Sequence, residues 1–127
     1  SGSYTGALDL NYREFARIYE FVNNVGDRHK HNCYLVMVTM NTLPEQLADI
    51  EKIEKALDCM EQSIRSKIRK VDVCTRYSSM QYLIILFEPQ ENQIPNVMER
   101  IFMHYYELCD REDFKPQYEY IKMTEPK

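Results

Sequence analysis

The chain has 127 residues, 44% of them hydrophobic, and a formal net charge of −4. These values predict one folded domain with a single core and exclude an intrinsically disordered chain. The mild acidity gives no electrostatic reason to expect nucleic-acid or membrane-surface binding. No apolar run approaches the roughly 20 residues of a membrane-spanning helix, and no leader peptide is recognisable. Residues 1–3 resemble a cloning remnant, so we predict one domain over residues 4–127.

Hydrophobic residues that recur every three or four positions predict three helices. Their ranges are 11–25, about 45–69 and 94–108. Asp9 or Asn11 is expected to cap the first helix, and Gly26 to end it. Pro44 is expected to open the second helix, because proline suits the first helical position.

Four strands are predicted at residues 34–38, 71–77, 81–87 and 117–123. The first is an unbroken apolar run, which is typical of a central strand covered on both faces. The second and third form a hairpin, and the imperfect alternation of the last indicates an edge or near-edge strand. From residue 33 onward the order is βαββαβ, preceded by an N-terminal helix. This order predicts an α+β, ferredoxin-like or nucleotidyl-cyclase-type sheet with helices packed on it.

The four cysteines lie far apart in the sequence and form no C-x-x-C pair, which is typical of reduced thiols in a cytoplasmic protein. A cluster of potential metal ligands precedes the first predicted strand. It consists of Asp27, His29, His31 and Cys33. In an extended segment, alternate members of this cluster would face one ion. We favour the alternative, a polar loop that leads into the strand, and predict no metal site.

The hairpin segment, residues 69–86, resembles the signature hairpin of the diguanylate cyclase (GGDEF) family. The residues from Ser78 to Tyr82 stand where that family has Gly-Gly-Asp/Glu-Glu-Phe. Residues 10–15, 35–43 and 98–101 also resemble family segments, so the likeness covers roughly residues 5 to 123. It implies the cyclase fold, although the family's closing helix and final strand have no counterpart here.

The resemblance places six residues at family active-site positions, and all six differ from the family's residues. They are Thr39, Asn41, Ser78, Ser79, Met80 and Gln81. Four of these positions are acidic in the family and neutral here, whereas magnesium prefers charged oxygen ligands. The two serines replace glycines that allow positive φ and close approach of a phosphate, so we expect a strained turn. The sequence therefore predicts no catalytic residue and no metal.

An Arg-x-x-Asp motif, Arg69 to Asp72, and Arg100 on the third helix match the family's inhibitory site, which binds cyclic di-GMP. Arginine forks bind phosphate or the guanine O6/N7 edge, and a carboxylate accepts from guanine N–H groups. The alternative is a surface ion pair of little stability between Arg69 and Asp72. Arg100 would then pair with Glu99 or Glu107.

By this resemblance, the chain is expected to be a catalytically inactive GGDEF-like regulatory domain of a bacterial signalling protein. Such a domain acts by protein contact or dimerisation, with other domains of the same protein or a second copy as partners. We expect a cytoplasmic location, including the cytoplasmic part of a membrane-attached sensor, with no nucleic acid and no membrane insertion. The alternative is a cyclic di-GMP receptor, without any other cofactor. A residual cyclase or GTP-binding domain is the third interpretation.

Overall fold

The computed structural model describes residues 8–9, 11–29, 32–46, 49–109 and 114–123. Its helices are α1 (Tyr12–His29), α2 (Ile50–Lys67) and α3 (Ile94–Leu108). Its strands are β1 (Leu8–Asp9), β2 (Cys33–Thr42), β3 (Val73–Ser78), β4 (Gln81–Phe87) and β5 (Phe114–Lys122). Short 3-10 turns cover Pro44–Gln46 and Glu91–Gln93. None of the helices in these ranges is long and apolar enough to cross a membrane.

The strands form one sheet in the order β1-β3-β4-β2-β5. β1 runs parallel to β3, and the other neighbours are antiparallel. The predicted βαββαβ order after α1 is therefore confirmed, as is the edge position of β5. The two-residue strand β1 was not predicted, because two residues are too few to show a periodicity.

Helices α2 and α3 cover one face of the sheet and form the main core with it. Val36 and Val38 of β2 lie in this core with Met60 of α2 and Ile101 of α3, all fully buried. Three buried hydroxyls tie the layers together. Ser63 Oγ donates to Ile101 O at 2.8 Å, Tyr82 Oη to Leu57 O at 2.9 Å, and Tyr105 Oη to Phe114 O at 3.2 Å.

Helix α1 covers only part of the opposite face. Phe15 and Val22 pack in a second cluster with residues of β3 and β4, including Leu83. Leu35 and Met37 of β2 lie at its margin and are half-buried. The prediction that β2 is covered on both faces is therefore wrong for this face, because α1 lies towards the β3 side of the sheet.

The start of α1 is fixed by Asn11, one of the two predicted caps. Asn11 Oδ1 accepts from Glu14 N at 2.8 Å, and Glu14 Oε1 accepts from Asn11 N at 3.2 Å. This reciprocal pair is a capping box. The predicted end at Gly26 is wrong, since the helix continues to His29. A glycine costs a helix interior only about 1 kcal/mol relative to alanine, so it does not by itself end a helix.

The longer α1 changes the interpretation of the potential metal cluster. Asp27 and His29 lie on the helix, whereas Cys33 begins β2. Asp27 and His29 are therefore not in an extended segment, which the metal site would need. They are not in the predicted polar loop either. His31 lies outside the described residues.

Helix α2 begins at Ile50 and ends at Lys67, so the predicted range of 45–69 is too long at both ends. Asp49 caps it by accepting from Lys52 N at 3.1 Å, while Pro44 opens only the preceding 3-10 turn. Ile50 is 70% exposed, and the buried stripe starts further along the helix. Its fully buried members include Leu57, Met60 and Ile64.

Strands β2 and β5 are longer than predicted because they pair with each other. Their register runs from Tyr34 opposite Lys122 to Thr42 opposite Phe114. This pairing carries β2 past its apolar run and starts β5 at Phe114 rather than at residue 117. Pairing with a neighbour, rather than side-chain polarity, therefore sets the lengths of these strands.

Two thiols meet where α2 packs on the end of α3. Burial raises the pKa of Cys59 from 9.0 to about 11, and a hydrogen bond with Cys109 acts in the same direction. Burial likewise raises the pKa of the Cys33 thiol. A raised pKa in the folded state means that the unfolded chain loses its proton first as pH rises. The stability from the neutral Cys59 thiol is therefore complete below about pH 9 and falls as pH rises towards 11.

We expect the stability difference between the wild type and Cys59→Ala to shrink between about pH 9 and pH 11. The reason is that alanine removes the titrating group but leaves the other thiols in place. Urea unfolding at several pH values measures both free energies. A difference that stays constant across this range would contradict the assignment.

Candidate functional site

The β3–β4 hairpin places the family-like positions at one end of the sheet. Ser79 and Met80 form its two-residue turn, and the register shifts between Arg76 and Ser78. Among the described non-glycine residues only Glu88 has a positive φ, of 53°. The turn therefore closes without left-handed backbone, and the expected strain from replacing two glycines by serines is absent.

Three of the six predicted positions meet in a hydrogen-bonded cluster, which we call the neutral cluster: Thr39, Ser78 and Gln81. Thr39 and Gln81 are direct cross-strand neighbours. Gln81 Nε2 donates to Thr39 Oγ1 at 3.3 Å and contacts Met37 Sδ at 3.2 Å. Gln81 Oε1 accepts from Ser78 Oγ at 2.9 Å. The Gln81 side chain thus has partners for both its oxygen and its nitrogen.

The other predicted positions contribute backbone or lie outside the cluster. Met80 N donates to Ser78 Oγ at 3.3 Å, and Met80 O accepts from Met40 N at 2.8 Å. The Met80 side chain is half-buried and packs against the main core. Asn41 and Ser79 are exposed. The hairpin tip is therefore joined to β2 through neutral groups.

The neutral cluster does not fit a magnesium ion. Its potential ligands are two hydroxyls and a carboxamide, and the carboxamide is already engaged. Magnesium requires near-octahedral oxygen coordination, with carboxylates as its usual protein ligands. Within the described ranges, no three His, Cys, Asp or Glu side chains lie close enough together to hold a metal ion.

Arg69 and Asp72 form a network at the opposite end of the hairpin, between the end of α2 and the end of β4. The Asp72 side chain is only 2% exposed, whereas that of Arg69 is 56% exposed. Asp72 Oδ2 accepts from Arg69 N at 2.9 Å and from Arg69 Nε at 3.3 Å. Asp72 Oδ1 accepts from Phe87 N at 3.0 Å and Arg69 Nη2 at 3.3 Å. Arg69 Nη2 also donates to Phe87 O.

This network is not the weak surface ion pair of the alternative interpretation, because its carboxylate is buried and accepts two backbone N–H groups. It holds the loop after α2 against the last residue of β4. With both carboxylate oxygens engaged, Asp72 has no free acceptor for a guanine edge unless the network opens. In this geometry Asp72 is a structural residue.

Arg100 lies on the exposed side of α3 and forms no hydrogen bond or ion pair with any described residue. The alternative pairings with Glu99 and Glu107 are therefore not formed. The structure does not join Arg100 to Arg69 or Asp72 through any hydrogen bond. The three predicted ligand-binding residues thus do not form one connected cluster.

The sequence analysis missed an apolar groove on the α1 side of the sheet. One part, of about 240 Å³, lies between α1 and the sheet and is lined by residues that include Tyr12, Tyr77 and Leu83. A second part, of about 170 Å³, lies between β2 and β5 and includes Ile121. The imperfect alternation of β5 was one sequence signal for this groove.

No protein-family model matches the sequence, and no curated protein matches it. Solved structures do match. The chain superposes on a DGC protein from Thermotoga maritima with a TM-score of 0.72 and 16% identity, covering 91% of this chain and 82% of that one. It superposes on the FimX GGDEF domain of Pseudomonas aeruginosa with a TM-score of 0.73 and 12% identity, covering 98% and 85%.

A third similar structure is the diguanylate cyclase SiaD of Pseudomonas aeruginosa, in complex with its activator SiaC. The TM-score is 0.79 at 18% identity, and the match covers 92% of this chain and 48% of SiaD. The chain therefore spans about half the length of SiaD. At these identities the likeness shows the fold: the chain has the GGDEF-type, diguanylate-cyclase-like α+β fold, as the sequence predicted.

We expect Asp72→Ala to lower the free energy of unfolding by about 3 kcal/mol, since it leaves two backbone N–H groups without their acceptor and removes the ion pair with Arg69. Asp58→Ala is the matched control, because Asp58 is an exposed acid on α2; its effect should stay within about 0.5 kcal/mol. Urea unfolding of both variants measures this. A loss below about 1 kcal/mol for Asp72→Ala would fit a surface ion pair instead.

Proposed function

We propose that this chain is a regulatory domain of a bacterial cytoplasmic signalling protein, with a diguanylate-cyclase-like fold but no cyclase activity, and that it acts through protein contacts. The neutral cluster carries this proposal. The resemblance makes four positions acidic in cyclases, and this chain has Thr39, Asn41, Met80 and Gln81 there. Gln81 bonds to Thr39 and to Ser78.

Joining two nucleotides needs compensation for the negative charge that develops on the triphosphate. A bound divalent ion usually supplies it and also activates the attacking hydroxyl. The neutral cluster offers no carboxylate for such an ion, and its carboxamide would have to break two hydrogen bonds to turn outward. The described part of the hairpin tip also places no lysine within this cluster. This geometry supports loss of catalysis.

The exposed surfaces of the fold support a role in protein contact. Surfaces away from the hairpin tip keep exposed apolar side chains, among them Phe21 and Ile121, which are 65% and 60% exposed. Exposed aromatic and aliphatic groups are enriched where proteins bind each other. SiaD, which shares the fold, has been solved in complex with an activator protein.

Incubation of the purified protein with GTP and magnesium, followed by chromatography, tests the loss of activity. We expect no cyclic product above the protein-free control. Gln81→Ala is the matched variant, because a contaminating cyclase would give the same signal in both preparations. Turnover that scales with wild-type protein and falls in Gln81→Ala would overturn the proposal.

Cyclic di-GMP binding is a second candidate function, and the exposed guanidinium of Arg100 is the observation that favours it. Arg100 has no partner among the described residues, and the Arg69 side chain is 56% exposed. Both groups are therefore open to a phosphate or a guanine edge. Asp72 would join such a site only if it released Phe87 N and Arg69.

Isothermal titration with cyclic di-GMP distinguishes the two candidates. Receptor function requires micromolar binding that weakens at least tenfold in both Arg69→Ala and Arg100→Ala. Lys70→Ala is the matched control, since Lys70 is an exposed cation beside Arg69 and should bind like the wild type. Absence of heat at high ligand concentration, or equal weakening in the control, would eliminate this candidate.

A further inference from the structure

The two edges of the sheet differ greatly in length. β1 has two residues, whereas β5 has nine and lies at the opposite edge. β5 pairs with β2 on one side, and no other strand among the described residues pairs with its outer side. A long open edge presents unpaired backbone N–H and C=O groups that can pair with another strand.

The register shows which β5 residues present these groups. Met123 N donates to Cys33 O at 2.8 Å, beyond the pair formed by Tyr34 and Lys122. In an antiparallel ladder the hydrogen-bonded and non-bonded pairs alternate along the strand. The odd-numbered residues of β5 therefore bond to β2, and the even-numbered residues direct their backbone groups outward. The outward residues are Phe114, Pro116, Tyr118, Tyr120 and Lys122.

Pro116 divides this edge into two parts. It occupies an outward position, where its missing N–H does not interrupt pairing with β2. It also removes one donor from the open edge, which is a common way to block strand addition. The outward N–H groups of Tyr118, Tyr120 and Lys122 remain, so the open part of the edge is its C-terminal half.

We propose that this half of β5 pairs antiparallel with β5 of a second copy, centred on Tyr120, and joins the two sheets. Tyr120 then lies opposite Tyr120 of the second copy, and Tyr118 opposite Lys122 of the second copy. Each such pair exchanges two backbone hydrogen bonds, so every outward donor of this half is used. This self-pairing names the partner for the protein contacts of the proposed function, and the inference therefore rests on that function.

Side chains favour this register over those centred on Glu119 and on Tyr118. Centring on Glu119 would place two carboxylates directly opposite each other, which is unfavourable. Centring on Tyr118 would place Tyr120 opposite the Pro116 that lacks an N–H. Centring on Tyr120 places Glu119 opposite Ile121 of the second copy and covers Ile121, which is 60% exposed.

The copies also present matching surfaces on both sides of the joined sheet. On one side Tyr118 and Tyr120 are stacked, with ring centroids 6.3 Å apart and an interplanar angle of 16°. On the other side the groove between β2 and β5, lined partly by Ile121, meets the same groove of the second copy. One half-strand buries less than the ~800 Å² per partner of a standard interface. We therefore expect a weak dimer, with a dissociation constant on the order of 100 μM.

Sedimentation equilibrium over a concentration range from about 10 μM to about 1 mM measures this dimer. Lys122→Pro removes an outward N–H without removing a bond to β2, and Lys122→Ala is the matched control that keeps the N–H. We expect Lys122→Pro to raise the dissociation constant at least tenfold and Lys122→Ala to change it less than about twofold. Circular dichroism verifies that both variants are folded.

Amide hydrogen exchange of the wild type provides a measurement that needs no variant. The amides of Tyr118, Tyr120 and Lys122 should gain protection as concentration rises, while exposed amides of α3 should not. A protein that stays monomeric at the highest concentration, or equal weakening by both Lys122 substitutions, overturns the self-pairing. A strand from another protein that protects these amides while the chain remains monomeric also overturns it. These results leave the loss of catalysis untouched, whereas GTP turnover would overturn the proposed function without affecting the dimer.

Discussion

The buried carboxylate of Asp72 is the interaction on which the hairpin depends. It accepts from the backbone of the residue that follows α2 by two positions and from the backbone of the last residue of β4. It therefore fixes, at one point, where α2 ends, where β3 starts and where β4 stops. A buried charge remains stable only when it is paired and hydrogen-bonded, and the Arg69 guanidinium with two N–H groups meets this need. The position of the hairpin tip therefore depends on the Asp72 network at the opposite end of the hairpin.

At the tip, the same hairpin brings Thr39, Ser78 and Gln81 together. Their hydrogen bonds are directed at one another, so the tip is a structural junction between β2 and the hairpin. The fold is that of diguanylate cyclases, but a fold does not determine a function; the groups at the site do. The proposed regulatory role depends on this difference between fold and site. The sheet and its exposed surfaces do not require the charged groups that phosphate chemistry needs.

The two edges of the sheet differ in length, and this difference indicates where the proposed protein contacts would form. One edge is short, and the other is long, with a proline at an outward position in its first half. On the α1 side, the helix covers the part of the sheet next to β3 and leaves Leu35, Met37 and Ile121 in an open groove. Because backbone pairing and apolar contact can both occur along β5, this strand is the part of the molecule best suited to accept a partner strand.

The sequence by itself determined the order of the three helices and the four longer strands, the buried stripes of α2 and α3, the edge position of β5 and the absence of acidic residues at the hairpin tip. Those properties follow from local periodicity and residue chemistry. Only the tertiary structure decided that α1 continues through Gly26, that Asp49 rather than Pro44 starts α2, and that Asp72 is buried and saturated. It also decided which backbone groups of β5 point outward. Burial and strand register arise from contacts between residues distant in sequence, which no pattern within a single segment shows. The cap of α2 is a local contact, but both Pro44 and Asp49 suit a helix start, so the sequence alone does not choose between them.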